Sequence, residues 1–148
     1  MSLVLALDTS TVVAVGLARG GRVLASRSFE DTRAHVEQTV PLVQQVLADH
    51  GATLGDVTRV VVGTGPGPFT GLRVGLATAE VLALALDVPV TGVVSLDVLA
   101  RQVVLAGAPT GEFLVVSDAR RREVYWSRHD VDGRRLDGPH VGPADTLP

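Results

Sequence analysis

Residues 3–29, LVLALDTSTVVAVGLARGGRVLASRSF, decide how the chain begins. Three β-rich runs, Leu3–Asp8, Val12–Arg19 and Arg22–Phe29, are separated by Thr9-Ser10-Thr11 and by Gly20-Gly21. A Gly-Gly pair between two such runs is a strong signal for a two-residue hairpin, because both residues must take positive φ. The stretch therefore predicts an antiparallel meander of three strands.

Beyond it the hydrophobic period changes. Val36, Val40, Val43 and Leu47 recur at helical spacing, with Pro41 inside the stretch as a kink or first-turn residue and Gly51 placed to stop it. Val57–Val62 reads as a buried strand. A Gly/Pro loop from Gly63 to Thr70 leads into a helix from about Gly71 to Leu86, for which Thr70 is the expected cap. A strand over 89–94, a helix over 96–106 and strands near 113–117, 123–129 and 135–141 complete the pattern. Strands and helices alternating in this way predict an α/β fold, a mixed sheet with flanking helices. The order resembles the ribonuclease-H-like lobe of the actin, sugar-kinase and Hsp70 superfamily. On that resemblance residues 1–110 form the N-terminal lobe, and 111–148 begin a second, incomplete one.

Composition narrows the chemistry. The 148 residues contain no Cys, no Lys, no Asn and no Ile. A disulfide scaffold, a thiolate metal site and a lysine phosphate clamp are thereby excluded. The net charge of −3 argues against a free-standing nucleic-acid binder. Arg120-Arg121-Arg122 is the local exception, and a solvated loop is its ordinary reading. The opening apolar run is broken by Asp8 and has no basic leader. No segment approaches the roughly 20 apolar residues that span a bilayer. A soluble cytoplasmic protein without membrane contact is expected.

Three segments are candidates for function. At the end of the first strand, Asp8, Thr9 and Ser10 stand where phosphate-handling members of the superfamily hold a metal and bring a glycine against a phosphate. Ser10 occupies the glycine's place, so a turn stabilised by Asp, Thr and Ser side chains is an equal reading. The loop Gly63–Gly71 is neither a Walker motif, for want of Lys, nor a dinucleotide fingerprint, since Pro68 falls where the third Gly belongs. Its amides at a helix start suit an anion, while Pro66 and Pro68 remove two donors, so anion binding and a rigid connection both stay open. The third segment is the helix itself. Gly71, Gly75, Ala79 and Ala83 form a smooth face at four-residue spacing, and Leu72 and Leu76 help make most of the remainder apolar. Gly75 costs an ordinary helix about 1 kcal/mol relative to Ala, so close approach of another backbone is expected there. A helix apolar on nearly every side has to be covered on nearly every side. His35 has no second His at metal-ligand spacing, and no nucleophile elbow is present, so no catalytic residue, cofactor or metal is predicted.

The run GTGPGPFTGLRVGLATA at 63–79 closely resembles the signature of the TsaB/YeaZ family. LALDTST at the start, His35-x-Glu37 with Pro41-Leu42, and Asp118-Ala119-Arg120 leading to Glu123-Val124-Tyr125-Trp126 agree in order and spacing. The resemblance runs from about Leu3 to Trp126. It implies a non-catalytic dimerisation subunit needed by TsaD, which transfers threonylcarbamoyl to a tRNA adenosine, with the ATPase TsaE in the same assembly. A homodimer is implied when the protein is alone, with tRNA met indirectly through the complex. Pairing is implied to use the helices near 35–50 and 71–86. The residues expected at that interface are His35, Val36, Thr39, Val40, Val43, Gly71, Leu72, Gly75, Leu76, Ala79 and Ala83. On this reading Gly75→Leu blocks dimerisation and leaves the fold intact. Asp8, Thr9, Ser10, Thr70 and Arg73 are the expected remains of a nucleotide site. The alternative is a nucleotide-dependent phosphotransferase, with Asp8 orienting a metal and Thr70 or Arg73 touching phosphate. A protease has no nucleophile–base pair to support it.

Overall fold

The computed structural model describes residues 2–30, 35–107 and 109–148, with the side chains of His35 and Val36 outside the description. By its contacts the chain divides into two compact units, Met1–Val93 and Val94–Pro148.

In the first unit, β1 (Leu3–Asp8), β2 (Val13–Arg19) and β3 (Arg22–Phe29) form the predicted antiparallel meander. Gly20 and Gly21 turn the hairpin with φ of 58° and 78°. Helix α1 (His35–Ala48) follows and contains Pro41. Strand β4 (Arg59–Gly63) adds parallel to β1, helix α2 (Phe69–Leu86) crosses over, and β5 (Val90–Val93) adds parallel to β4. The sheet order is β3-β2-β1-β4-β5. A parallel strand needs a crossover connection, and α1 and α2 supply the two that this order requires.

Strand alternation decides which side of the sheet the helices cover. Leu3, Leu5 and Leu7, Val13, Val15 and Leu17, and Val60 and Val62 are all buried. They share one core with Leu42, Val43, Val46 and Leu47 of α1 and with Ala79 and Ala83 of α2. Both helices therefore lie on the same face of the sheet.

A side-chain hydroxyl sets the seat of α2. Thr9, 1% exposed at the end of β1, donates to the Gly71 carbonyl at 2.7 Å and accepts from the Gly75 amide at 3.2 Å. Those groups are the acceptor and donor that close one turn of an α-helix, so the hydroxyl is stitched into the helical ladder itself. A Cβ at Gly75 would collide with Thr9 Oγ1 and lie 3.1 Å from its methyl carbon. The group that approaches Gly75 is thus the Thr9 side chain of this same chain, in place of the backbone expected there, and Gly71, Gly75, Ala79 and Ala83 all face inward. This corrects the assignment of those four residues to a partner surface.

Two more expectations change. Helix α2 starts at Phe69 with Pro68 at its cap, so Thr70 lies in the first turn and caps nothing. At 18 residues and a mean hydropathy of 1.5, α2 is also long and apolar enough to cross a membrane. Its inward face is nevertheless occupied by the sheet and by Thr9.

The second unit is built on α3 (Ser95–Leu105) and an antiparallel sheet of β6 (Phe113–Arg120), β7 (Glu123–His129) and β8 (Arg135–Pro143). Leu96 and Ala100 of α3 meet Val115, with Val94, Phe113 and Tyr125 around them. The α3 segment, grouped by sequence with the first lobe, thus has its core contacts here. His129 is fully buried against Phe113, and its Nε2 lies 3.2 Å from Asp97 on α3. Arg135 approaches the same carboxylate at 3.5 Å.

Gly75→Leu is accordingly expected to unfold the first unit, since the added atoms run into the short, buried Thr9 side chain, which is held on both sides by its hydrogen bonds. Thr9→Val, close to isosteric, should cost about 1–3 kcal/mol by removing the hydroxyl from buried backbone groups. Urea unfolding followed by circular dichroism reads both.

Candidate partner interface

Two regions collect the residues singled out by sequence. They lie at opposite sides of α2.

The first is the junction of the β1–β2 turn with the loop before α2. Asp8 Oδ1 accepts from the Ser10 amide at 2.7 Å, closing the turn. Thr9 and Ser10 are buried beneath the loop, at 1% and 4% exposure. The loop backbone sits directly on Ser10: a Cβ at Gly67 would strike the Ser10 carbonyl oxygen and lie 2.7 Å from its Cα. Leu72 folds back under the same loop, with a methyl carbon 3.0 Å from where a Cβ on Gly65 would stand. Thr64 holds the loop's start by donating its amide to Val93 at 2.8 Å. The two segments that would face each other across a phosphate are in contact instead. Thr70 and Arg73 are exposed, and the Arg73 guanidinium lies over the Phe69 ring at 4.8 Å from its centroid. Asp8, Thr9 and Ser10 are thus brought together with Gly67 and Gly71, and Thr70 and Arg73 stay outside that cluster. The phosphotransferase alternative meets, at this junction, the backbone of Gly67 packed on that of Ser10.

The second region is the outward face of the helices. With Gly71, Gly75, Ala79 and Ala83 inward, the 100° step per residue points Arg73, Ala77, Val81 and Leu84 away from the sheet. Leu84 is 84% exposed and Val81 65%, and Phe69 at the helix start is 71% exposed. On α1, Val40 is 51% exposed. Thr39 and Val43 are buried beneath it, and Leu76 packs partly on the core. Of the residues predicted at the interface, Val40 is the one that stands free on this surface among the described side chains. His35 and Val36 fall outside them. The sequence did contain the signal for Val81 and Leu84, since they lie opposite the small-residue stripe on the helical wheel.

No group of three or more His, Cys, Asp or Glu residues able to hold a metal occurs among the described residues.

Comparison with known proteins places this arrangement. Residues 22–142 match the family model described as TsaD: tRNA N6-adenosine threonylcarbamoyltransferase. The chain is 49% identical over 147 residues to an uncharacterised protein of Mycobacterium tuberculosis, covering 97% of this chain and 66% of that one. To the Escherichia coli tRNA threonylcarbamoyladenosine biosynthesis protein TsaB it is 37% identical over 131 residues, covering 87% of this chain and 55% of TsaB. The solved structure of YeaZ from Pseudomonas aeruginosa superposes with a TM-score of 0.89 at 34% identity, covering the whole chain and 70% of YeaZ.

The chain belongs to the TsaB/YeaZ family. It spans about half to two thirds of the length of the relatives it matches. A Ppx/GppA phosphatase of Aquifex aeolicus shares the fold alone, at a TM-score of 0.51 and 12% identity. That likeness is one of fold, as the order of elements along the chain led us to expect. Within this TsaB/YeaZ chain, the closed junction and the apolar outer face of α2 are the two features from which a function has to be argued.

Gly67→Ala should lower stability by about 1–3 kcal/mol through overpacking against Ser10. Thr70→Ala and Arg73→Ala, both at exposed positions, should stay within about 0.5 kcal/mol. Urea midpoints for the three variants check this contrast.

Proposed function

We propose that the protein serves as a non-catalytic scaffold subunit for threonylcarbamoylation of tRNA, pairing with TsaD through the outward face of α2. The observation that carries this reading is the unpartnered apolar surface around Val81 and Leu84. Its opposite face is fully used inside the fold. A helix left in that state is stable in water as a surface for another protein. The residues at its centre are aliphatic, which suits a matching helix better than a polar ligand. A homodimer on the same face is the expected state in the absence of TsaD. TsaE joins the same assembly, and the protein acts in the cytoplasm, where tRNA is modified.

The closed junction of Ser10 with Gly67 supports the accessory role, because a phosphate transferred by this chain would have to enter there. In the second unit, β6-β7-β8 repeats the meander of β1-β2-β3. We read it as the opening of a second lobe of the same kind.

The test is reconstitution. TsaD, TsaE and the enzyme that makes threonylcarbamoyl-adenylate are assayed for tRNA modification with and without the full-length protein. Modification that depends on the protein is expected, and modification unaffected by it overturns the scaffold role. Val81→Glu with Leu84→Glu should abolish both pairing with TsaD and the dependent modification. Both positions face solvent, so the melting temperature of the isolated protein should move little.

A further inference from the structure

The turn between β6 and β7 holds a backbone conformation that its residue types do not favour. Arg120, Arg121 and Arg122 have φ of 65°, 53° and 68°, three left-handed residues in succession. In that region Cβ presses on the following carbonyl, which is why such turns are usually built from Gly, Asn or Asp. The chain uses the glycine solution at its other tight hairpin, Gly20-Gly21. Here it places arginines.

The geometry around them is defined. Arg120 pairs with Glu123 across the ladder, so Arg121 and Arg122 form a two-residue turn, and the register shifts between Asp118 and Arg120. The Asp118 carboxylate accepts from the Arg120 amide at 3.2 Å, which ties the first of the three to the strand. All three side chains are exposed. Arg27, Arg128 and Arg135 each meet a carboxylate. Among the described residues no ion pair forms to Arg120, Arg121 or Arg122, although Asp118 and Glu123 flank the turn.

Strain kept at a fixed place is a sign of use at that place. Three guanidinium groups on one hairpin tip present planar forks matched to phosphate oxygens. A free nucleotide would need a concave pocket for its base, and a solvent-exposed tip offers none. A nucleic-acid backbone needs only an accessible row of cations. The chain as a whole carries a net charge of −3, so such a contact rests on the local charge of this tip and not on the overall balance.

We infer that the Arg120–Arg122 hairpin contacts the phosphate backbone of tRNA directly. The identity of the RNA rests on the proposed function. The contact orients the RNA and reads no bases. It goes beyond the indirect meeting with tRNA through the complex that the family resemblance implies.

The experiment replaces Arg120, Arg121 and Arg122 by glycine in the full-length protein. Glycine accepts positive φ, so the hairpin is kept and its strain relieved while the charge is lost. Binding of fluorescently labelled tRNA is followed by anisotropy over a range of salt, for the protein alone and with TsaD. Expected are a melting temperature at or above the parent's and an affinity for tRNA lower by about tenfold or more. The slope of log K against log salt should become shallower by about 0.7–0.9 for each phosphate contact removed. Unchanged affinity and slope overturn the inference. A lowered melting temperature overturns it too, since the arginines would then serve the turn. Pairing with TsaD is measured on the same samples. Intact pairing with unchanged tRNA binding removes the hairpin contact and leaves the scaffold role standing. If the parent protein neither pairs with TsaD nor supports modification, the scaffold role fails, and the salt slope of the protein alone still decides the hairpin.

Discussion

The hydroxyl of Thr9, held between Gly71 and Gly75, is the contact on which the first unit depends. It fixes the rotation of α2 about its own axis. Once that rotation is set, Ala79 and Ala83 must follow Gly75 inward, and Val81 and Leu84 must point to solvent. A helix of this composition could otherwise roll on the sheet with little change in apolar burial, because nearly every side of it is hydrophobic. The two glycines are the counterpart of the threonine. Any side chain at 75 would displace the hydroxyl, so an internal glycine and its propensity cost of about 1 kcal/mol are the condition for this seat.

The same contact closes the region where related folds handle phosphate. By drawing α2 onto the end of β1, it brings the preceding loop down on Ser10, until Gly67 is in backbone contact. The Gly/Pro loop, with its amides at a helix start, becomes a packed joint. The joint supports the helix, and the helix presents its outer face. The accessory character proposed here and the apolar docking surface thus follow from one packing arrangement.

Much of this could be read in the sequence, because local chemistry dictates it. Gly20-Gly21 announced its hairpin, alternation announced the strands, and the four-residue repeat of small side chains announced that something approaches α2 closely. What approaches it was not legible. A small-residue stripe specifies proximity without naming the neighbour, and Thr9 lies 62 and 66 residues away from its two partners in sequence. The stripe was therefore assigned outward when it faces inward. Thr70 looked like a cap because its side chain suits one, but the helix begins two residues earlier than expected, behind Pro68. The left-handed run at Arg120–Arg122 was illegible for the opposite reason, since arginine argues against the turn it makes. Burial of His129 with Asp97 could not be seen either, as it depends on α3 packing against β6 and β7.

The absence of cysteine gives a direct measurement of which side of α2 meets the partner. Single cysteines are placed at Leu84 and at Ala83, and their reaction with a maleimide is timed for the protein alone and with TsaD. The account predicts that Leu84→Cys reacts fast alone and slowly in the pair, while Ala83→Cys is slow in both. Fast labelling at Ala83→Cys in the folded protein, lost on pairing, with Leu84→Cys unaffected by TsaD, would contradict it.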